Sequence, residues 1–255
     1  MRIIVFSDVH GNPFACEAVL RAIEKERPYD AVVCAGDMCL GGSDPGECVG
    51  MIRSAGVSAV YGNTEGYILQ PDHEPEDELH RSMWYRVQPV AMWVRNRLDN
   101  NQLNWLGGLH FEQRFSPTAE LSDDLLVVHA NPRDVELMIL PPENEQLRLW
   151  GEIRQADNDP DLVETLSGVS AMVIAFGHYH LTHQRMWREL NLVDVAPCSL
   201  PGVDRDKRAR YSIFSWDGNQ WNVTRRWVTY DVEKEITALQ NSDMPYKEDF
   251  IRYFI

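Results

Sequence analysis

The stretch Ile3-Ile4-Val5-Phe6-Ser7-Asp8-Val9-His10-Gly11-Asn12 decides the fold, because an apolar run ends there at two good metal ligands and a turn. In a strand, residues two apart point to the same side, so we expect Asp8 and His10 to project together from its carboxyl end. Gly11-Asn12-Pro13 then favours a turn and a helix start, with Asn12 as the N-cap. Ligands of α/β proteins bind at that edge of the sheet. A strand-end Asp beside a His also occurs without any metal, so the triplet alone does not establish a site.

Composition narrows the class of protein. A chain of 255 residues can bury one large core, and its length alone fits one domain with elaborations as well as two small ones. Because no segment looks like an interdomain linker, we predict a single domain over residues 1–255. No run approaches the roughly 18 apolar residues that a membrane span needs, and Met1-Arg2 leads straight into a strand-like segment. These features predict no membrane partner and a cytoplasmic location. The five cysteines occur in no CxxC spacing, which argues against a disulfide framework or a zinc knuckle.

The net charge of −15 argues against a protein that binds nucleic-acid polymers by their backbone, because such binding depends on Lys and Arg. If the substrate is an anion, bound cations must supply the attraction. The local exception is the basic run Arg205-Asp206-Lys207-Arg208-Ala209-Arg210, with Arg225-Arg226 further along. This run is either a small anion-recognition patch or, more commonly for such runs, a solvated loop face.

Several later apolar runs repeat the pattern of a strand followed by a polar residue. The runs 31–35 and 57–61 end at Gly36-Asp37 and Gly62-Asn63. The run 125–129 ends in His129, and the run 171–176 ends in Gly177-His178-Tyr179-His180, where two histidines share one side of an extended segment. Strands that alternate with helices predict parallel βαβ units, whose right-handed crossovers bring these carboxyl ends to one edge.

Residues 66–108 interrupt the strand pattern and predict a helical insertion. Helical spacing favours one helix over 79–98, which Pro89 kinks or divides, and a second over 101–106. The insertion contains Trp84, Trp93 and Trp105, which either cover the active edge or, as is commoner for at least two of them, pack in the core.

The rest of the chain predicts further elements of both kinds. Helices are expected over 14–26, 46–54, 143–155, 160–166 and 231–240, and strands over 110–115, 183–187, 192–195, 211–216 and 221–228. Asp217-Gly218 is a strong hairpin signal. The aromatic segment 244–255 docks either on the body of the protein or on another subunit, which leaves a homo-oligomer open.

The strand-end polar residues form a constellation on five separate runs. They comprise two carboxylates, one amide and four imidazoles, a set that suits borderline transition metals better than magnesium or calcium. A shared Asp is the simplest way to hold two ions roughly 3.5–4 Å apart, the spacing of two-metal hydrolytic sites. The set is Asp8, His10, Asp37, Asn63, His129, His178 and His180.

The order Asp-x-His, Gly-Asp, Gly-Asn, His and Gly-His-x-His resembles the calcineurin-like metallophosphoesterase superfamily, from residue 1 to about residue 230. The resemblance implies a four-layer α/β/β/α sandwich and two divalent transition-metal ions, drawn from Mn, Fe, Zn, Ni or Co with Mn favoured. It implies that Asp8, His10 and His180 bind one ion, that Asn63, His129 and His178 bind the other, and that Asp37 bridges them.

The same resemblance implies a phosphoric ester hydrolase that acts on phosphodiesters or small phosphorylated molecules, with diesters favoured over monoesters. A hydroxide or water that bridges the ions would be the nucleophile, and Asp37, Asn63 and His129 would be the catalytic residues. Many members have His after the Gly-Asn pair, where this chain has Thr64. Together with the His129-Ala130-Asn131-Pro132 block, this departure is similar to the small bacterial phosphodiesterase branch.

The departure at Thr64 raises the question of which residue takes the place of the missing histidine. His80 and His110 are candidates for a substitute acid, and Arg133 is a candidate phosphate contact or a surface ion pair. The turn Ala196-Pro197-Cys198-Ser199 replaces the usual Asn-Pro-Gly-Ser, which puts a phosphate-cradling role for it in doubt.

Two other functions are compatible with the resemblance. One is a scaffold that keeps the fold and binds a protein partner, as a retromer subunit of this superfamily does, although scaffolds tend to lose ligands that this chain retains. The other is a Ser/Thr-type protein phosphatase, which Thr64 argues against.

Overall fold

Two five-stranded sheets stack face to face in the computed structural model, which describes residues 1–74 and 78–255, without the side chains of 78–80 and 82–83. The first sheet contains β1 (Arg2–Phe6), β2 (Ala31–Cys34), β3 (Ser58–Ala59), β9 (Ala209–Trp216) and β10 (Trp221–Val228). Its order is β10-β9-β1-β2-β3. The strands β1, β2 and β3 are parallel, as the alternation of strands and helices predicted, and β9 runs antiparallel to β1.

The second sheet contains β4 (Glu112–Phe115), β5 (Leu125–Val128), β6 (Val173–Phe176), β7 (Gln184–Trp187) and β8 (Leu190–Asp194). Its order is β4-β5-β6-β8-β7, with β5, β6 and β8 parallel. The carboxyl ends of β5 and β6 therefore lie at one edge, as do those of β1, β2 and β3 in the first sheet.

Alternating side chains divide each central strand between two cores. Ile3 and Val5 of β1 pack against Val127 and Ala175 of the second sheet, in the layer between the sheets. Ile4 and Phe6 point the other way into a helix-covered core. Because both faces of the central strands are buried, β1, β5 and β6 read as continuous apolar runs.

Helices cover the outer face of each sheet. The first sheet is covered by α1 (Pro13–Glu24), α2 (Pro45–Ser54), α4 (Glu78–Arg95) and α8 (Val232–Asn241). The second is covered by α7 (Pro160–Leu166), through Leu162 and Leu166. The predicted four-layer α/β/β/α sandwich is confirmed.

The insertion between β3 and β4 contains α3 (Asn63–Leu69), α4 and α5 (Asn100–Gly107). Pro89 lies inside α4 without dividing it. Trp84 and Trp93 are buried, and Trp105 packs against the helix-covered core of the first sheet. The tryptophans therefore take the core role that the sequence favoured.

Some predicted element bounds were wrong. The helix predicted over 143–155 ends early, at α6 (Glu143–Trp150), because Gly151 adopts a left-handed conformation at φ 74°. The strand predicted over 57–61 contains only the two residues of β3. The helices α3 and α9 (Lys247–Ile251) were not predicted as helices.

Two compositional predictions can be compared with the structure. All five cysteines are buried and unpaired, as their spacing predicted. Among the residues that the structure describes, we find no helix that combines the length and the apolar character required to cross a bilayer.

Candidate metal centre

The predicted ligands follow strand ends on both sheets. Asp8 follows β1, Asp37 follows β2, and Asn63 begins α3, four residues beyond the end of β3. His129 comes immediately after β5, and His178 lies two residues beyond β6. The centre therefore lies where the carboxyl ends of the two sheets meet, and each sheet supplies part of it.

Most of these residues have an unusual backbone conformation. We expected Asp8 and His10 to project side by side from an extended strand, but β1 ends at Phe6 and that expectation was wrong. The same correction applies to His178 and His180. Left-handed φ for non-glycine residues is costly, by about 1–3 kcal/mol each, and clusters at functional sites. The φ values are 56° at Asp8, 50° at His10, 55° at Asp37, 75° at His178 and 55° at His180.

Backbone hydrogen bonds between the first two ligand loops impose this conformation. The amide of Asp8 donates to the Gly36 carbonyl at 3.2 Å, and the amide of His10 donates to the Asp37 carbonyl at 2.9 Å. The loops after β1 and β2 therefore remain paired beyond their strands, which fixes the separation of Asp8 from Asp37.

One group of ligand atoms surrounds His10. Its Nε2 lies 2.9 Å from His180 Nε2 and 3.7 Å from Asp37 Oδ2. His180 Nε2 in turn lies 3.6 Å from Asp8 Oδ1. The ligand atoms of Asp8, His10 and His180 all lie within 4.8 Å of one another, close enough to share one metal ion.

A second group surrounds His129. Its Nε2 lies 3.0 Å from Asn63 Oδ1, 3.2 Å from His178 Nδ1 and 3.4 Å from Asp37 Oδ1. Asp37 thus faces the first group with one carboxylate oxygen and the second group with the other. Asp8 also lies within 4.8 Å of Asp37 and His129, so it approaches both groups.

Backbone carbonyls fix the tautomer of every histidine in the centre. A carbonyl oxygen only accepts, so the ring nitrogen that faces it must carry the proton, and the other nitrogen of a neutral ring presents a lone pair to the site. His10 Nδ1 donates to Leu40 O at 2.6 Å, His180 Nδ1 to Leu200 O at 2.6 Å, His129 Nδ1 to Ala35 O at 2.8 Å, and His178 Nε2 to Glu136 O at 2.9 Å.

This arrangement places lone pairs opposite each other. His10 Nε2 faces His180 Nε2 at 2.9 Å, and His129 Nε2 faces His178 Nδ1 at 3.2 Å. Two lone pairs at these distances repel each other unless a cation lies between them. In the first pair protons do not supply that charge, because burial lowers the pKa of His10 and lowers that of His180 to about 3. In the second pair burial lowers the pKa of His178 to about 4, whereas the carboxylates of Asp37 and Asp8 raise the pKa of His129 against the effect of burial, so a proton on His129 or a metal ion can supply the charge. Imidazole nitrogens with carboxylate and amide oxygens are good ligands for divalent transition metals, so the residues fit such an ion.

Burial also affects the acidic ligands. Asp8 and Asp37 are almost completely buried, and burial raises the pKa of Asp8 to about 7, with repulsion from Asp37 acting in the same direction. Two carboxylates at this depth require compensating positive charge. A divalent cation would supply it.

Thr64 and Glu65 hold the Asp37 loop in place. The Thr64 hydroxyl donates to Asp37 Oδ1 at 2.9 Å, so the residue that replaces the expected histidine orients a candidate ligand. Glu65 Oε2 accepts from the amides of Asp37 and Gly62 at 2.9 and 3.0 Å. Sequence reasoning missed Glu65; its position at the third residue of α3 is typical of a capping box.

Glycines next to the ligands leave no room for a side chain. A Cβ at Gly36 would lie 2.6 Å from His129 Nδ1, and one at Gly62 would clash with the Asp37 carboxylate. Gly177 is similarly close to Ser7 and Asp8. These positions explain why Gly precedes the polar residue in several of the motifs.

The other predicted functional residues lie elsewhere. Arg133 donates to the Ser167 carbonyl at 3.0 Å and does not line the described pocket over the centre. His110 is exposed and also outside that lining. The side chain of His80 lies outside the described residues. In the turn after β8, the amide of Ser199 donates to Asp8 O at 2.9 Å, so this turn supports a ligand loop.

The arginines of the basic run 205–210 differ in their burial and in their contacts. Arg210 is only 2 % exposed and pairs with Asp204 and Asp206. Arg208 is exposed and pairs with Asp206 as well. Arg205 lies on the pocket over the metal centre.

That pocket has a volume of about 690 Å³. Its floor contains His10, Asp37, Asn63, His178 and His180. Sequence reasoning missed its walls, which come mainly from α3, the turn at 200–203 and the aromatic segment 244–255. The wall residues include Tyr67, Leu200, Pro201, Val203, Phe250 and Tyr253.

Comparison with known proteins gives consistent results. The sequence model of the calcineurin-like phosphoesterase family matches residues 1–196. An uncharacterized protein from Methanocaldococcus jannaschii is 30% identical over 250 residues, which cover 95% of this chain and 93% of that protein. Two solved structures share the fold. A metallophosphoesterase from Sphaerobacter thermophilus has a TM-score of 0.71 at 21% identity, and covers 100% of this chain and 98% of its own. A hypothetical protein from Pyrococcus horikoshii has a TM-score of 0.76 at 15% identity, and the match covers 99% of this chain and 97% of that one.

Proposed function

Because the chain belongs to the calcineurin-like phosphoesterase family, as the motif order predicted, we propose that it is a binuclear metal-dependent phosphodiesterase that acts on small molecules. The observation that carries this proposal is that two pairs of imidazole nitrogens, His10 with His180 and His129 with His178, lie on either side of Asp37, which faces His10 with one carboxylate oxygen and His129 with the other. Asp8, His10 and His180 would hold one ion, Asn63, His129 and His178 the other, and Asp37 both.

The metals we favour are Mn, Fe, Zn, Ni or Co, with Mn first, because the ligand set mixes nitrogen and oxygen donors. When bound, such ions polarise phosphoryl oxygens and lower the pKa of a water ligand. Asn63 Nδ2 lies 3.4 Å from the Tyr67 hydroxyl and 3.4 Å from Glu136 Oε2, which turns Asn63 Oδ1 toward the site. The chain's own contribution is therefore a set of ligands that are already oriented.

The choice of diesters with good leaving groups depends on Thr64. Its hydroxyl is committed to Asp37, and each imidazole in the described lining of the pocket belongs to the ligand set. That leaves no spare histidine there to protonate a poor leaving group, so esters of acidic alcohols such as p-nitrophenol should react best.

The test combines metal analysis with hydrolysis. The chelated protein is reloaded separately with Mn, Fe, Ni, Co or Zn, its metal content is measured by mass spectrometry, and it is assayed with bis(p-nitrophenyl) phosphate and with p-nitrophenyl phosphate. We expect about two ions per chain and faster hydrolysis of the diester. Asp37→Ala and His129→Ala should lose both metal and activity, whereas His73→Ala, at an exposed loop position, should retain them.

Two results would overturn the proposal. Absence of hydrolysis with every metal, by a folded protein that binds well under two ions, would favour a scaffold that binds a protein partner. Normal activity in His129→Ala would remove the assigned centre from the reaction.

A further inference from the structure

The pocket over the metal centre is completed by residues outside the part of the chain that matches the family. The family match ends at residue 196, whereas Leu200, Val203, Arg205 and the segment 244–255 form one side of the pocket. The ligand loops thus supply the floor, and this later part of the chain supplies a wall.

The segment 244–255 is anchored firmly on the body of the protein. Phe254 is 1 % exposed and, with Met244, belongs to the helix-covered core of the first sheet. Just before the segment, Asp243 accepts a hydrogen bond from Trp93 Nε1 at 2.8 Å, and Asp249 within it pairs with Arg86 at 2.5 Å. These contacts hold the segment against α4, so its pocket side is a fixed surface.

The wall is aromatic and cationic. The Phe250 ring lies against Gly41, where a Cβ would come within 2.7 Å of it, so glycine at 41 makes room for the ring beside the His10 loop. Tyr253 is 50 % exposed although it lines the pocket. Arg205 and Arg252 also line the pocket, and the exposed Arg252 side chain pairs at 3.3 Å with the half-buried Asp249, which Arg252 shares with Arg86.

A phosphoryl group at the metal centre leaves most of about 690 Å³ unfilled, and pockets of this size hold whole drug-sized ligands. The apolar and aromatic wall favours a flat, apolar partner, since stacking on aromatic rings is the favourable way to bury such a surface. In a chain with a net charge of −15, two guanidinium groups in the pocket favour an anionic ligand.

We infer that the wall of Phe250, Tyr253, Arg205 and Arg252 binds a planar ring of nucleobase size, carried on the non-leaving side of the phosphodiester. This inference rests on the proposed function and names its substrate class as nucleoside phosphodiesters. The phosphoryl group lies at the metal centre, the ring stacks on the aromatic wall, and the arginines face the ligand's charge.

The test uses two substrates that share charge and leaving group. Thymidine 5′-(p-nitrophenyl phosphate) and methyl p-nitrophenyl phosphate are both monoanionic diesters that release p-nitrophenolate, and only the first carries a nucleoside. The wild-type protein with manganese should show a clearly lower KM for the thymidine ester.

Tyr253→Ala should raise the KM for the thymidine ester about 5- to 100-fold, the effect expected for loss of one stacking partner. Its effect on KM for the methyl ester should be much smaller than its effect on KM for the thymidine ester, because methyl does not reach the wall.

Phe250→Ala should also raise KM for the thymidine ester. Because the Phe250 ring packs on Gly41, its removal can also unfold the segment. Because Tyr253 is half exposed, we expect Tyr253→Ala to fold normally, and the test therefore does not depend on the Phe250 variant. The matched control is Tyr85→Ala, which removes an exposed aromatic from α4 outside the pocket lining and should leave both substrates unaffected. Arg205→Ala and Arg252→Ala should each raise KM for both esters to a similar extent, because the two substrates share the charge that the arginines face.

Binding of thymidine 5′-monophosphate by calorimetry gives a readout that is independent of turnover. The wild-type protein should bind it more tightly than Tyr253→Ala does, by the same factor. Equal KM values for the two esters, or equal effects of Tyr253→Ala on both, would overturn this inference while the proposed phosphodiesterase stands. Failure to hydrolyse either ester with any metal would instead count against the proposed function.

Discussion

At the scale of single residues, the centre depends on backbone conformations that most side chains avoid. Asp8, His10 and Asp37 all have left-handed φ values, held by hydrogen bonds between neighbouring loops. Ligand types and strand ends could be predicted, because they follow from coordination chemistry and from apolar runs. The left-handed turns could not, because contacts between loops distant in sequence impose them.

Gly36 provides the first residue-scale prediction. Gly36→Ala introduces a Cβ 2.6 Å from His129 Nδ1 and should displace that imidazole, which lowers metal affinity by about 10- to 100-fold, as for other residues that support metal ligands. Metal affinity can be measured by competition with a chromogenic chelator. The matched control is Gly168→Ala, which has a similar positive φ of 77° but no atom within 4 Å of the new Cβ. Equal losses in both variants would attribute the effect to backbone strain and contradict the prediction.

The Thr64 hydroxyl provides the second residue-scale prediction. Thr64→Val keeps the shape of the side chain but removes the hydroxyl that donates to Asp37 Oδ1 at 2.9 Å. We expect metal affinity to fall by about tenfold or more, because Asp37 loses a partner that orients it. Thr64→Ser keeps the hydroxyl and should bind metal almost as the wild type does. If Thr64→Val binds metal normally, the hydroxyl has no orienting role.

At the scale of elements, helix α8 is held to the glycine-rich loop after β2 by a buried carboxylate. Glu235 accepts from the Ser43 amide at 2.9 Å and from the Ser43 hydroxyl at 2.7 Å. Burial raises the pKa of Glu235 to about 7 from its usual 4.5, and the nearby Asp44 adds to the shift. The hydrogen bonds lower the pKa but do not offset burial.

The sign of the resulting pH dependence follows from proton binding. Between about pH 4.5 and pH 7 the folded state keeps the Glu235 proton and the unfolded state does not, so this group lowers stability as pH rises through that window. Glu235→Gln keeps an acceptor and a donor for Ser43 without the charge. Its Tm should exceed that of the wild type by at least about 2 °C at pH 8 and should match it near pH 4.5. Thermal unfolding at both pH values tests this, and a constant difference would show that Glu235 does not titrate in this window.

Element boundaries were predictable where one local signal dominated. The hairpin of β9 and β10 and the helix α7 follow from Asp217-Gly218 and from Pro160 after Asp159. The helix α3 was missed because its amino end coincides with a ligand motif that we read as a strand end. The wall segment 244–255 was identified only as aromatic, since nothing local shows which surface it covers.

At the scale of the whole molecule, the proposed metal binding links to stability, because the candidate ligands converge only when both sheets are in place. A ligand at 100 times its Kd stabilises the folded state by about 2.7 kcal/mol. For a chain of this length that corresponds to a rise of about 5 to 10 °C in Tm. We therefore expect manganese to raise the Tm of the chelated protein by this amount, measured by scanning fluorimetry.

Asp37→Ala is the informative control for this prediction. Asp37 faces both ligand groups, so its removal should abolish most of the manganese-dependent rise. An undiminished rise in that variant would place the stabilising metal elsewhere on this acidic chain.

The two sheets also set the order in which the centre can be completed during synthesis. The first sheet is discontinuous in sequence: β1 pairs on one side with β2 and on the other with β9, which ends at Trp216. The ribosome must therefore release residues up to that strand before Asp8 and Asp37 have their final framework, and His178 and His180 also come late. Loading of the proposed centre would then be a post-translational event that reports on a finished fold, and we expect a truncated product of translation to leave the ribosome unmetallated.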